Sequence, residues 1–163
     1  MFDAYRGFFT ASAGASAAFI GLLFVALSFI DEANVDEATR SWRRIMANSS
    51  FAQLVNIFFV SMAGLLPDPH NFAPVGIVMG VLGMGVAIRL LPHVTAINGR
   101  RIPTVLGLIA TAGYLLEIVT GIGLLRSPQD PQLMSYFVLA IIILYAGALS
   151  RAWEVTGIKR RSS

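Results

Sequence analysis

Five apolar stretches, each long enough to cross a bilayer, leave this chain few ways to fold. They run Phe8–Ile30, Ser49–Leu66, Pro74–Leu91, Pro103–Leu125 and Leu133–Ala152. A membrane-crossing helix needs about 20 predominantly apolar residues, within a range of roughly 17–25. All five stretches fall in that range. Apolar residues make up 56% of the 163, and the connecting segments are short, so no soluble domain fits between the helices. The expected fold is all-α: a single polytopic transmembrane domain over residues 1–163, built as a compact bundle of five helices. Phe8–Ile30 reads as a retained helix, because it is far longer than the 7–15-residue core of a signal peptide and its flank pairs Asp3 with Arg6.

The charges give a topology. Cytoplasmic loops of membrane proteins carry an excess of Lys and Arg. With the N-terminus outside, Arg40, Arg43, Arg44, Arg89, Arg100, Arg101, Arg151, Lys159, Arg160 and Arg161 fall on the inner side, and Arg6 and Arg126 on the outer side. The reverse orientation inverts that ratio, and omitting the third span scatters the basic groups over both faces. The net charge of +3 is thus distributed as a topology signal, and nucleic acid is not an expected partner. The chain has no cysteine, which excludes disulfides, thiolate metal sites and cysteine nucleophiles.

Between the first two spans, Val35, Ala38, Trp42, Ile45 and Met46 fall at helical spacing, with Asp36, Glu37, Arg40, Arg43 and Arg44 opposite. This predicts a short amphipathic helix over about 35–47, lying at the cytoplasmic interface with Trp42, Arg43 and Arg44 at headgroup level. The tail over 153–163 carries Lys159, Arg160 and Arg161, which suit an anionic leaflet. Membrane lipids, anionic headgroups among them, are therefore the first expected partners.

Small residues mark the packing faces. Ala13, Ala17 and Gly21 recur at four-residue spacing in the first span, and the third holds Gly76, Gly80, Gly83 and Gly85. Lipid supplies little hydrophobic drive between helices, so association rests on close approach and dispersion contacts, which small residues permit. The first and third helices are accordingly the expected packing centre. The same faces suit self-association or another membrane protein.

Glu117 is the residue most in need of a reason. It lies 14 residues past Pro103, about 21 Å along a helix at the usual rise, well inside the hydrocarbon. An ionisable side chain there is expensive and is by default a candidate functional group. Its helical face holds Leu106, Ala110, Gly113, Gly121 and Leu124. On the second helix Ser49, Gln53 and Asn56 form a polar stripe at i, i+4 and i+7, reaching about 12 Å from Asn48. Together they read either as interhelical hydrogen-bond glue or as a half-path for a proton or small cation. Arg89, two residues from the end of its span, either snorkels to the interface, pairs with Glu117, or meets an anionic substrate.

Chemistry beyond this is sparse. His70 and His93 fall on opposite sides of the membrane and cannot share a metal or haem. There is no nucleophile elbow, phosphate loop or HExxH. Neither catalysis nor a cofactor is expected.

The run Thr10-Ala-Ser-Ala-Gly-Ala-Ser-Ala-Ala-Phe-Ile-Gly-Leu-Leu-Phe-Val-Ala-Leu-Ser28 resembles the first helix of small bacterial multi-pass membrane proteins of unassigned function. That resemblance covers one span and implies a bacterial plasma (inner) membrane location, with no activity attached. The expected function is that of a small non-enzymatic accessory, assembly or homo-oligomeric component acting through helix packing. Two alternatives stand beside it. One is a small ion channel or proton-coupled transporter using Glu117. The other is an intramembrane lipid or quinone binder, or an enzyme.

Overall fold

Each of the five spans is an α-helix in the computed structural model, which describes residues 2–29, 37–66, 69–96 and 101–156. The helices are α1 (Phe2–Ser28), α2 (Glu37–Gly64), α3 (Phe72–Ala96), α4 (Arg101–Arg126) and α5 (Pro131–Thr156), with a 3-10 turn over Pro69–Asn71 before α3. At 25–28 residues, each reaches about 38–42 Å at 1.5 Å per residue. All five are long and apolar enough to cross a membrane. The start of α5 shows how the sequence sets a boundary. Asp130 Oδ1 accepts from the backbone N–H groups of Gln132 and Leu133, at 2.9 and 3.3 Å. Pro131 takes the first helical position, where its missing N–H costs nothing.

The amphipathic segment over 35–47 is helical from Glu37 onward but is not a separate interfacial element. It forms the first turns of α2, which runs unbroken to Gly64. Two physical reasons account for this. No glycine or proline interrupts the chain between Glu37 and Ala63, and the segment's apolar face has a protein neighbour. Met46 and Ala47 are buried, with Trp42, Ile45 and Leu27 of α1 packed around them. Val35 lies outside the described residues, as do Lys159, Arg160 and Arg161 and the side chain of His93.

Helices α2, α3, α4 and α5 close a ring, each packed on the next, and α2 also packs on α5. Helix α1 lies outside this ring along α2, with a slighter contact to α5. This corrects the expected packing centre. Helix α2 is the most enclosed span, and α1 meets α3 through a ring contact between Phe9 and Phe72. Gly76, Gly80 and Gly83 of α3 serve α4 and α5 instead. A Cβ at Gly76 would sit 2.6 Å from the Phe137 ring, one at Gly80 would sit 2.8 Å from Ile118, and one at Gly83 would overlap the Tyr114 ring. On α1, Ala13 is buried, whereas Ala17 and Gly21 are exposed. Among the described side chains of α1, the buried polar ones are Ser12 and Ser16. Ser61 of α2 donates to Ser12 Oγ at 2.9 Å, and Tyr145 of α5 donates to the Ser12 carbonyl.

Because the helices alternate in direction, the bundle has an amino-terminal face, where α1, α3 and α5 begin, and an opposite carboxy-terminal face. The half nearer the amino-terminal face is packed with rings. Phe9, Phe72 and Phe137 come from α1, α3 and α5, are all fully buried, and have centroids 5.3 and 4.8 Å apart in sequence of contact. Gly64 and Gly76 leave the space these rings fill.

Candidate functional site

From the middle of the bundle to the carboxy-terminal face the interior carries a polar column. Ser49, Gln53 and Asn56 of α2 are all buried, and they point into the ring of four helices. Glu117 enters from α4 with no solvent exposure. Its face is the small-residue one: Ala110, Gly113 and Gly121 are buried beside it, and Gly80 of α3 lies so close that a Cβ there would be 3.6 Å from the carboxylate. Asn56 Nδ2 donates to Glu117 Oε2 at 3.1 Å. Glu117 Oε1 and Asn56 Oδ1 have no hydrogen-bond partner.

The fifth member of the centre is Arg151, which the sequence marks only as one of the basic residues on the inner side. Arg151 is buried. Its guanidinium donates to Ser49 Oγ, to Gln53 Oε1 at 3.2 Å and to the Leu106 carbonyl of α4 at 2.6 Å. Gln53 Nε2 is left without a partner. The amide orientation follows from its neighbours: turning Gln53 over would aim its NH2 at the guanidinium. A signal for Arg151 was present in the sequence. It follows Phe137, Ile141, Leu144 and Ala148 along α5 at helical spacing, and those four line the buried face. Tyr114 was also missed. It is one turn before Glu117, is buried, and lies within electrostatic reach of Glu117 and Arg151.

The two charged side chains do not touch. Arg151 is committed to α2 and to the Leu106 carbonyl, and Glu117 to Asn56. Between them the amides of Gln53 and Asn56, one turn apart on α2, continue the polar column. Arg89 is not part of it: the residue is exposed on α3, six positions beyond Gly83, and the described partner of Glu117 is Asn56. Trp42 and Arg43 are half-buried at the start of α2, and Arg44 is exposed. His70 is exposed near the opposite face. Among the described residues no three His, Cys, Asp or Glu side chains gather as metal ligands. A groove of about 210 Å³ between α1 and α2, lined by Leu23, Phe24, Leu27, Ala47, Asn48 and Phe51, is apolar apart from Asn48 and separate from the polar centre.

The arrangement can do two things chemically. It ties α2, α4 and α5 together inside a medium that offers the polar groups no other partner. It also holds a carboxyl group with one oxygen still able to take a proton or a donor. The aromatic cluster stands between that carboxyl and the amino-terminal face. Compared with known proteins, the chain matches no family model, no curated protein and no solved structure.

Proposed function

We propose that this chain is a small non-enzymatic membrane component, an accessory, assembly or homo-oligomeric part that acts through its lipid-facing exterior. The observation that carries this reading is how the interior is spent. Its polar side chains are buried and bonded from helix to helix, and rings pack the interior between α1, α3 and α5 nearest the amino-terminal face. The exterior supports the same reading. Gly7, Gly14 and Gly21 recur every seven residues on α1, and a Cβ at any of them would meet nothing within 4 Å. Glycine in a membrane helix is most useful where another helix must come close. A seven-residue repeat is a register in which another helix can run alongside, and a second copy of the chain, which brings the same face, is the occupant we assign. The setting is a bacterial inner membrane, as the resemblance of the first helix implies, with the N-terminus outside and the C-terminus cytoplasmic, the orientation the basic residues favour. Trp42, Arg43 and Arg44 then lie at the inner headgroups.

The test uses the chain's lack of cysteine. Gly14→Cys in native-composition liposomes should give a disulfide-linked dimer on mild oxidation, and Tyr136→Cys, exposed on α5, should not. A monomeric mass in lipid together with no cross-link at Gly14→Cys would overturn self-association. The second reading, a proton-coupled transporter or channel, is favoured by one observation, the unpartnered Glu117 Oε1. It requires ion or proton flux into proteoliposomes that Glu117→Gln abolishes. Equal flux from the two proteins, or none from either, removes it.

A further inference from the structure

Two oxygen atoms in the middle of the bundle lack donors, and they belong to side chains already bonded to each other. Glu117 Oε2 accepts from Asn56 Nδ2 at 3.1 Å, while Glu117 Oε1 and Asn56 Oδ1 are each buried and unpartnered. An ionised carboxylate can only accept, as can an amide oxygen, so no rotation of these two groups satisfies both atoms. An orphaned buried acceptor costs about 1–3 kcal/mol, more when it is charged. One proton on Oε1 can remove both orphans, because it turns that oxygen into a donor, and the other orphan is an acceptor on the side chain already bonded to Glu117. No added volume is required, which suits a site walled by Gly80 and Ile118.

We propose that Glu117 and Asn56 form a proton-binding site within the membrane. Glu117 is a neutral carboxylic acid whose O–H on Oε1 donates to Asn56 Oδ1, while Asn56 Nδ2 donates to Oε2. The pair is then a two-point acid–amide clasp between α4 and α2. Its surroundings leave the proton in place. Helix α3 presents Gly80 to the carboxyl group, and α4 carries Tyr114 one turn away. Helix α2 contributes amides and Ser49, and Arg151 of α5 is held by Ser49, Gln53 and the Leu106 carbonyl. No cation in the described network contacts Glu117 to hold a negative charge there. This site does not depend on whether the protein transports anything.

Infrared spectroscopy of the full-length protein in lipid reads the proton directly. At pH 7 the wild type should show one protonated-carboxyl C=O band that shifts in deuterated water, and Glu117→Gln should lack it. Asn56→Val removes both halves of the clasp and should move the band to the higher frequency of a carboxyl with weaker hydrogen bonds. Glu117→Gln preserves the clasp with an amide in place of the acid, and should unfold at the wild-type midpoint at pH 7. Three results would overturn the proposal. One is carboxylate bands in place of the protonated band in the wild type at pH 7. Another is a band that Asn56→Val leaves unmoved. The third is loss of the band on adding sodium or lithium ions at constant pH, which would make the site a cation site.

Discussion

Arg151 of α5 donates to the main-chain carbonyl of Leu106 on α4 across 2.6 Å, and the same guanidinium reaches α2 at Ser49 and Gln53. One side chain thus pins three helices near the carboxy-terminal face. Its head finds acceptors inside the protein instead of at the lipid surface.

Arg151→Gln should therefore weaken the fold. Hydrogen bonds to charged groups contribute about 1.5–3 kcal/mol each in soluble proteins, and bonds between membrane helices average nearer 0.6 kcal/mol. The expected loss is about 1.5–3 kcal/mol in all, measured by reversible unfolding in mixed micelles. Arg151→Lys should recover only part of it, because an ammonium lacks the planar fork that serves Gln53 and Leu106 together. Full recovery by Lys would mean that only charge matters there.

Gly83 and Gly85 lie on the same helix but should respond in opposite ways. A Cβ at Gly83 falls into the Tyr114 ring, which is buried and has no room to retreat, whereas Gly85 faces open space. Gly83→Ala should cost about 1–3 kcal/mol by overpacking. Gly85→Ala should be neutral or gain up to about 1 kcal/mol from helix propensity. Combining Gly83→Ala with Tyr114→Val should restore much of the loss. A purely additive double variant would show that the ring is not what Gly83 accommodates.

The ring cluster should be the costliest place to make space. Phe137 fits against Phe72 and into the gap left by Gly76. Phe137→Ala leaves a cavity and should lower stability by about 3–5 kcal/mol. Adding Gly76→Leu should refill part of it. If the single variant unfolds with the wild-type midpoint, the cluster is not closely packed in the membrane.

Five spans with an outer N-terminus place Gln129 and Ser41 on opposite sides. Single variants Gln129→Cys and Ser41→Cys, in a chain otherwise free of thiols, should label differently with an impermeant maleimide on intact cells. Gln129→Cys should react at once and Ser41→Cys only after permeabilisation. The opposite pattern would invert the topology, and labelling of both from outside would break the five-span count.

Some of this architecture is legible in the sequence because membranes restrict it. Length and hydropathy suffice for the five helices, since only helices and closed barrels satisfy the backbone in hydrocarbon and continuous apolar runs of this length suit a helix, not a barrel strand. Glu117 stands out for the same reason, and the i, i+4, i+7 stripe puts Ser49, Gln53 and Asn56 on its side of α2. Which helices touch is another matter. A glycine says that something comes close and not what, so Gly76 and Gly83 identify a contact face on α3 without pointing to Phe137 or Tyr114. Arg151 is hidden by ambiguity: near a helix end an arginine can turn outward to headgroups or inward to carbonyls, and only the packed α2 and α4 decide it. The merging of the amphipathic segment into α2 is likewise tertiary, because Leu27 of α1 supplies the apolar surface that lipid would otherwise have provided.

The joint around Ser12 bears on how the protein is made. Helix α1 leaves the ribosome first, yet its Ser12 carbonyl takes a hydrogen bond from Tyr145, 133 residues later. Until α5 has been translated, α1 can be held only by α2, through Ser61 and neighbouring packing, and by the Phe9–Phe72 contact with α3. Seating of the first helix is thus finished by the last, and a nascent chain stalled before Tyr145 would expose an unfinished seam to whatever surveys new proteins in the membrane.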